Sequence, residues 1–178
     1  MSGLTTNNSK PTLIFQGELC VVIGKDCKNI SPASNPLDYV LGYTAGNDIS
    51  SRFWQLDRDR SGGQFSYAKS FDKFAPIGPT LCSTSYIPDP SKLHLKTMVN
   101  GIQKQRTGID DLIFDVSAII RHVRRGMTLR PGTVIMTGTP SGVAAFETPP
   151  GWLKNGDLVQ VEVEGIGRIE NKMVFENM

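Results

Sequence analysis

The chain has 178 residues and a mass of 19.5 kDa, with 19 Lys plus Arg against 17 Asp plus Glu and a formal net charge of +2. Its 39% hydrophobic and 20% charged content excludes wholesale disorder and predicts one core of ordinary size. The near-neutral balance argues against a nucleic-acid or membrane partner, no apolar run reaches the ~20 residues of a bilayer span, and the three scattered cysteines form no disulfide framework.

The opening stretch 1–11, MSGLTTNNSKP, reads as a disordered lead-in without the apolar segment of a secretory signal. A reduced, cytoplasmic setting is expected, with the mitochondrion as the alternative. Order is expected to begin at Thr12, and 12–178 to form a single domain. The apolar, β-rich run Glu18 to Ile23 predicts a buried strand, with Cys20 as a small core residue. Asn29 to Pro36 reads as a turn region, Tyr39 to Thr44 as a second strand, and Arg58 to Gln64 as a polar loop. Asn100-Gly101, between Lys92 to Val99 and Ile102 to Arg106, is a hairpin signal, because both turn positions need positive φ.

Asp110 to Gly126 is the one main helix predicted: Leu112, Ile113, Val116, Ile119, Ile120, Val123 and Met127 recur at helical spacing. Acids stand at its start, and Arg121, His122, Arg124 and Arg125 form a solvated basic end matched to the helix dipole. The two histidines, His94 and His122, have no metal-ligand spacing. Thr133 to Met136 predicts a short strand, Leu158 to Glu164 a half-buried one, and Arg168 to Phe175 its return. The class is α+β, on a mostly antiparallel or mixed scaffold.

Four stretches concentrate groups that can carry chemistry. Gln16-Gly17-Glu18 would place two oxygen donors on one strand face. Gly46 to Gln55 packs an acid, hydroxyls, a guanidinium and an amide together, and Ala68-Lys69-Ser70-Phe71-Asp72-Lys73-Phe74 adds lysine. Thr137-Gly138-Thr139-Pro140-Ser141-Gly142-Val143 can offer backbone N–H groups and hydroxyls to an anion. Its spacing is not that of a P-loop, and no Gly-x-Ser-x-Gly elbow occurs. Taken singly, each signal is weak: an acid at a strand end is more often solvated than a ligand, and Thr139-Pro140 also reads as an ordinary turn.

Together they resemble the fumarylacetoacetate hydrolase family, and most of all its eukaryotic domain-containing members. The resemblance rests on Gly17-Glu18-Leu19, Gly42-Tyr43-Thr44…Asn47-Asp48-Ile49-Ser50, Ala68-Lys69-Ser70-Phe71-Asp72…Pro76-Ile77-Gly78-Pro79, Val99-Asn100-Gly101…Gln105 and Leu129-Arg130-Pro131-Gly132-Thr133…Thr137 to Val143. It implies a β-sheet roll or barrel-like core and a homodimer. The implied activity is a metal-dependent hydrolase or decarboxylase cleaving a C–C bond in a small 2-oxo or 1,3-dicarbonyl acid, in catabolism or secondary metabolism. An oxo-acid tautomerase, or an impaired paralogue serving as a binding or dimer partner, is the alternative.

The resemblance also implies roles by position. Glu18 and Asp48 match metal-binding carboxylates, and Gln16 falls where the family has a third. The implied cofactor is Mg²⁺, with Ca²⁺ or Mn²⁺ as alternatives. Lys69 matches a catalytic lysine, Arg52 and Gln55 match contacts to substrate oxygens, and Thr139 matches a substrate-carboxylate ligand. Family members carry an upstream lid with a His and Glu that activate water; no His or Glu precedes Gln16 in this sequence. The reading is a shortened catalytic domain with weakened metal retention and poor hydrolysis.

Overall fold

The computed structural model describes residues 12–175, so the expected lead-in over 1–11 lies outside the described residues. In chain order the strands are β1 (Leu13–Ile14), β2 (Gly17–Ile23), β3 (Val40–Asn47), β4 (Ser50–Ser51), β5 (Ile77–Ser83), β6 (His94–Val99), β7 (Ile102–Gly108), β8 (Val134–Met136), β9 (Leu158–Val163) and β10 (Gly167–Lys172). The helices are α1 (Arg52–Leu56), α2 (Arg58–Ser61), α3 (Ser66–Lys69) and α4 (Val116–Val123). One four-stranded sheet has the order β5-β3-β2-β8, a second has β10-β9-β6-β7, and β1 pairs with β4. Every described pairing is antiparallel. The α+β class stands, and of the alternatives the antiparallel one holds, without a closed barrel: two open antiparallel sheets lie together, with β2 and β3 against β6, β9 and β10.

β2 is buried along its whole length, as a continuous Leu-Cys-Val-Val-Ile run demands. On one side Leu19, Val21 and Ile23 join Val159, Val161, Val163 and Leu95 in the core. The Asn100-Gly101 hairpin forms between β6 and β7, with φ of 51° and 81° at the two turn residues. The second strand runs further than its apolar residues suggest, through Gly46 and Asn47, because β2 pairs with it to Gly17↔Asn47. β5 carries Gly and Pro in its first half and pairs with β3 all the same. The Arg58 to Gln64 loop contains α2, a single turn capped by Asp57.

The main helix is shorter than expected. Residues Ile109–Asp111 make only a 3₁₀ turn, and α4 begins at Val116. The physical reason is capping. Asp115 Oδ1 accepts the Ala118 N–H at 2.7 Å, whereas Asp111 Oδ2 accepts from Thr107 Oγ1 at 3.1 Å. Ile113, counted into the helical pattern, is 92% exposed, and the neighbouring Phe114 67%. The basic end is also partly structural. Arg121 donates to the carbonyls of Ser31, Pro32 and Ser34, closing the turn region it faces, while His122 is exposed.

Candidate active site

The site forms on the face of β2 turned away from the second sheet. Glu18 stands opposite Gly46 of β3. A Cβ on Gly46 would fall 2.3 Å from Cys20 Sγ and 2.8 Å from Met136 Cε, so this position must stay bare for the face to close. Glu18 is 3% exposed, and its Oε2 accepts the Gly138 N–H at 2.8 Å. Burial pushes its pKa from 4.5 up to about 7; the Gly138 hydrogen bond opposes the rise, Asp48 adds to it and Lys69 reduces it.

Asp48 sits in the turn between β3 and β4, fixed by its N–H donating to Gln16 O at 2.9 Å. Its Oδ2 receives Lys69 Nζ and also Gln16 Nε2 at 2.8 Å. Lys69 ends α3, and its Nζ donates a second hydrogen bond to Ser50 Oγ at 2.9 Å. Buried Ala68 anchors that helix. Edge-on aromatic contacts from Trp54 to Tyr67 (5.0 Å) and Tyr67 to Phe71 (5.2 Å) brace it from α1 to the following loop.

Gln16 lies just before β2, rather than on a shared strand face with Glu18, and it turns the NH₂ side of its amide toward Asp48. Arg52 opens α1, and its guanidinium donates to Gln55 Oε1. Arg52 Nε is buried with no hydrogen-bond partner among the described residues. Burial lowers the Arg52 pKa, and the Asp48 carboxylate counters that shift.

The fold therefore joins Gln16, Asp48 and Lys69 by hydrogen bonds and couples Glu18 and Arg52 to Asp48 through charge. Thr139 stands apart from that group. Its hydroxyl donates to Gly17 O at 2.9 Å and accepts from Gln105 Nε2 at 2.8 Å, and it meets Glu18 only through its neighbour Gly138. Among the described residues no three His, Cys, Asp or Glu side chains converge, in keeping with two carboxylates and an amide. Sequence reading gave no individual role to Ser50 or Gln105, and it offered the backbone N–H groups of 137–143 to an anion without naming Glu18 as the carboxylate that takes the one of Gly138. Ser50 and Gln105 lie inside motif stretches, but nothing in their local spacing shows that they meet Lys69 and Thr139.

Residues 3–174 match the family model described as Fumarylacetoacetate (FAA) hydrolase C-terminal. The chain belongs to the fumarylacetoacetate hydrolase family. It is 42% identical over 160 residues to the oxaloacetate tautomerase Fahd2a, mitochondrial, of Rattus norvegicus, covering 90% of this chain and 50% of that one. A fumarylacetoacetate hydrolase from Exiguobacterium antarcticum superposes with a TM-score of 0.85 at 36% identity, over 93% of this chain and 57% of that one. The fumarylpyruvate hydrolase of Pseudomonas aeruginosa, in complex with Mn²⁺ and pyruvate, gives 0.84 at 30% identity over 98% and 71%. The chain spans about half the length of the curated relatives it matches.

Proposed function

We propose that this chain carries the active site of a divalent-metal-dependent enzyme acting on a small 2-oxo acid, with keto–enol tautomerisation of an oxaloacetate-like acid as its reaction. The observation that carries the proposal is the Asp48–Lys69–Gln16 cluster set beside the buried Glu18 carboxylate. The donor set fits a hard cation. Its two carboxylates offer oxygens, Gln16 would add Oε1 by turning over the amide whose NH₂ faces Asp48, and burial leaves Glu18 an undercompensated anion that a divalent ion would neutralise. Glu18, Asp48 and Gln16 would hold that ion, Mg²⁺ in the first instance and Mn²⁺ or Ca²⁺ as substitutes. When bound, the cation would draw electron density from the substrate carbonyl.

The chain's own groups supply the rest. Lys69 steadies negative charge developing on the substrate oxygen. Arg52, with a buried Nε awaiting an acceptor, meets a second oxygen. Tautomerisation moves a proton from carbon to oxygen and breaks no C–C bond, so no water needs activation. The rat relative named a tautomerase supports this reading.

Hydrolysis is the second reading, favoured by the Pseudomonas neighbour named a hydrolase. It needs a base to prepare water. Of the two histidines, His94 pairs with Glu164 at 3.1 Å on an exposed sheet face, and His122 is exposed on α4.

The test follows oxaloacetate tautomerisation and acylpyruvate hydrolysis on one sample with Mg²⁺, for wild type and Asp48→Ala, alongside Mn²⁺ calorimetry. Tautomerisation lost in Asp48→Ala together with Mn²⁺ binding is the expected outcome. Equal Mn²⁺ binding by both proteins would sink the metal assignment. We propose a homodimer as the working form, to be read as about twice 19.5 kDa by light scattering.

A further inference from the structure

Gln105 lies on β7 in the second sheet, away from the carboxylates, and is 2% exposed. Its hydrogen bonds all converge on the junction between β2 and the loop after β8. Oε1 accepts the Gly17 N–H at 3.1 Å, and Nε2 donates to Thr139 Oγ1 at 2.8 Å and to Pro140 O at 3.0 Å. Thr139 Oγ1 in turn donates to Gly17 O at 2.9 Å. One amide thus secures both polar groups of Gly17, directly and through the threonine. Gly17 precedes Glu18, and Gly138, whose N–H binds Glu18, precedes Thr139.

Packing leaves this junction little room to adjust. A Cβ on Gly17 would lie 2.1 Å from Thr97 Oγ1, and Thr97 is the cross-strand partner of Gln105. A Cβ on Gly142, at the far end of the loop, would lie 2.0 Å from Lys104 O. The one proton of the Thr139 hydroxyl is also committed: it goes to Gly17 O, while the oxygen accepts from Gln105. Thr139 in this arrangement shapes the loop instead of presenting a free O–H to an anion.

We propose that Gln105 is a positioning residue. Acting through Thr139, it sets the 137–142 loop against β2 so that the loop receives the substrate carboxylate. This rests on the oxo-acid reading above. The unit is a clasp between the two sheets: it makes the fit of a small oxo acid depend on a residue of the sheet that carries neither Glu18 nor Asp48.

The experiment measures kcat and KM for oxaloacetate with Mg²⁺, and pyruvate binding by calorimetry, on the full chain and on Gln105→Leu, Thr139→Val, their double variant and Thr139→Ser. Circular dichroism and urea unfolding check folding. Gln105→Leu should raise KM and weaken pyruvate binding about tenfold, as for one or two lost hydrogen bonds, with a smaller change in kcat. Thr139→Val should do the same, the double variant should be no worse than either, and Thr139→Ser should behave as wild type. Gln105→Glu keeps the acceptor for Gly17 and loses the donors, so it should show the same KM rise if the leucine variant fails to fold. An active wild type whose folded Gln105 variants keep its KM, or additive losses in the double variant, overturns the clasp while leaving the oxo-acid reading standing. A wild type that neither binds pyruvate nor turns over oxaloacetate sinks that reading, and the assigned role of Gln105 with it.

Discussion

The two faces of β2 use burial for opposite ends. Gly17, Leu19, Val21 and Ile23 alternate toward the second sheet, where the three valines of β9 fill the space between sheets. Each large apolar side chain buried there stabilises the fold by roughly 1.5–3 kcal/mol. Glu18, Cys20 and Val22 face the other way and are buried as well. On that face burial raises the Glu18 pKa from 4.5 to about 7, which corresponds to about 3 kcal/mol against the ionised folded state. A single strand thus carries the stability that one side supplies and the unfavourable charge that the other side holds in the proposed site. The difference between the faces is what the following measurements probe.

The largest effect is expected on the site face. Lys69→Met removes the cation on Asp48 while Gln16 keeps its hydrogen bond there. Oxaloacetate turnover should fall by ~10²–10⁴, the range for loss of a group that assists charge or proton movement. Stability to urea should change little, because Lys69 is half-buried and contributes no core area. Unchanged turnover would remove Lys69 from the chemistry and leave the site face without a functional contrast to the core face.

Leu19→Ala tests the inner face. Leu19 is 1% exposed among the core residues, so the truncation should destabilise by about 3 kcal/mol in urea unfolding. A loss below about 1 kcal/mol would mean that the sheets collapse readily onto the gap and that the inner face is less tightly packed than described.

Glu18→Gln should act in the opposite sense in metal-free protein. The folded state holds the Glu18 proton up to a pH of about 7, and the unfolded chain releases it near 4.5. Between those values the folded state binds more protons, so this residue makes stability fall as pH rises, and the full penalty applies above the folded pKa. The variant keeps an acceptor for Gly138 and loses the slope. Relative to wild type it should gain about 3 kcal/mol at pH 8 and less than about 1 kcal/mol at pH 5, measured in chelator. Equal stabilities at both pH values would show that Glu18 is compensated already.

Much of this architecture was legible in the sequence, and the gaps have physical causes. The apolar run of β2 and the Asn100-Gly101 turn are local signals, and both appear where expected. The start of α4 failed because apolar spacing counted Leu112 and Ile113, whereas Asp115 decides where the first free N–H groups are met. β5 escaped notice because its Gly-Pro opening reads as a turn, and only pairing with β3 makes it a strand. In the site, motif stretches named Asp48, Lys69 and Gln16, which the fold gathers. The Gln105–Thr139–Gly17 contacts span 34 and 88 positions between sheets, a separation that periodicity cannot reach.

The smallest effect concerns Cys20, which decides how far the site face is also core. It lies two residues beyond Glu18, with Met136 opposite it on β8. Burial pushes its thiol pKa from 9.0 up to about 12, and the carboxylates of Glu18 and Asp48 add to the rise. At pH 8 the thiol is therefore neutral and a poor nucleophile, and it behaves as a small apolar side chain. Cys20→Ala should cost only about 1 kcal/mol of stability. Iodoacetamide at pH 8 should modify the half-exposed Cys82 first. Cys20 should be modified only at the rate of global unfolding, since reaching it requires separating β2 from β3 and β8. If Cys20 reacts much faster than the protein unfolds, the face opens locally. The Glu18 carboxylate would then see water often, and its raised pKa would relax toward the ordinary value. Slow labelling together with the same pH profile of stability in wild type and Glu18→Gln would instead mean that a dry face can hold this carboxylate without penalty, which would leave the two faces of β2 energetically alike.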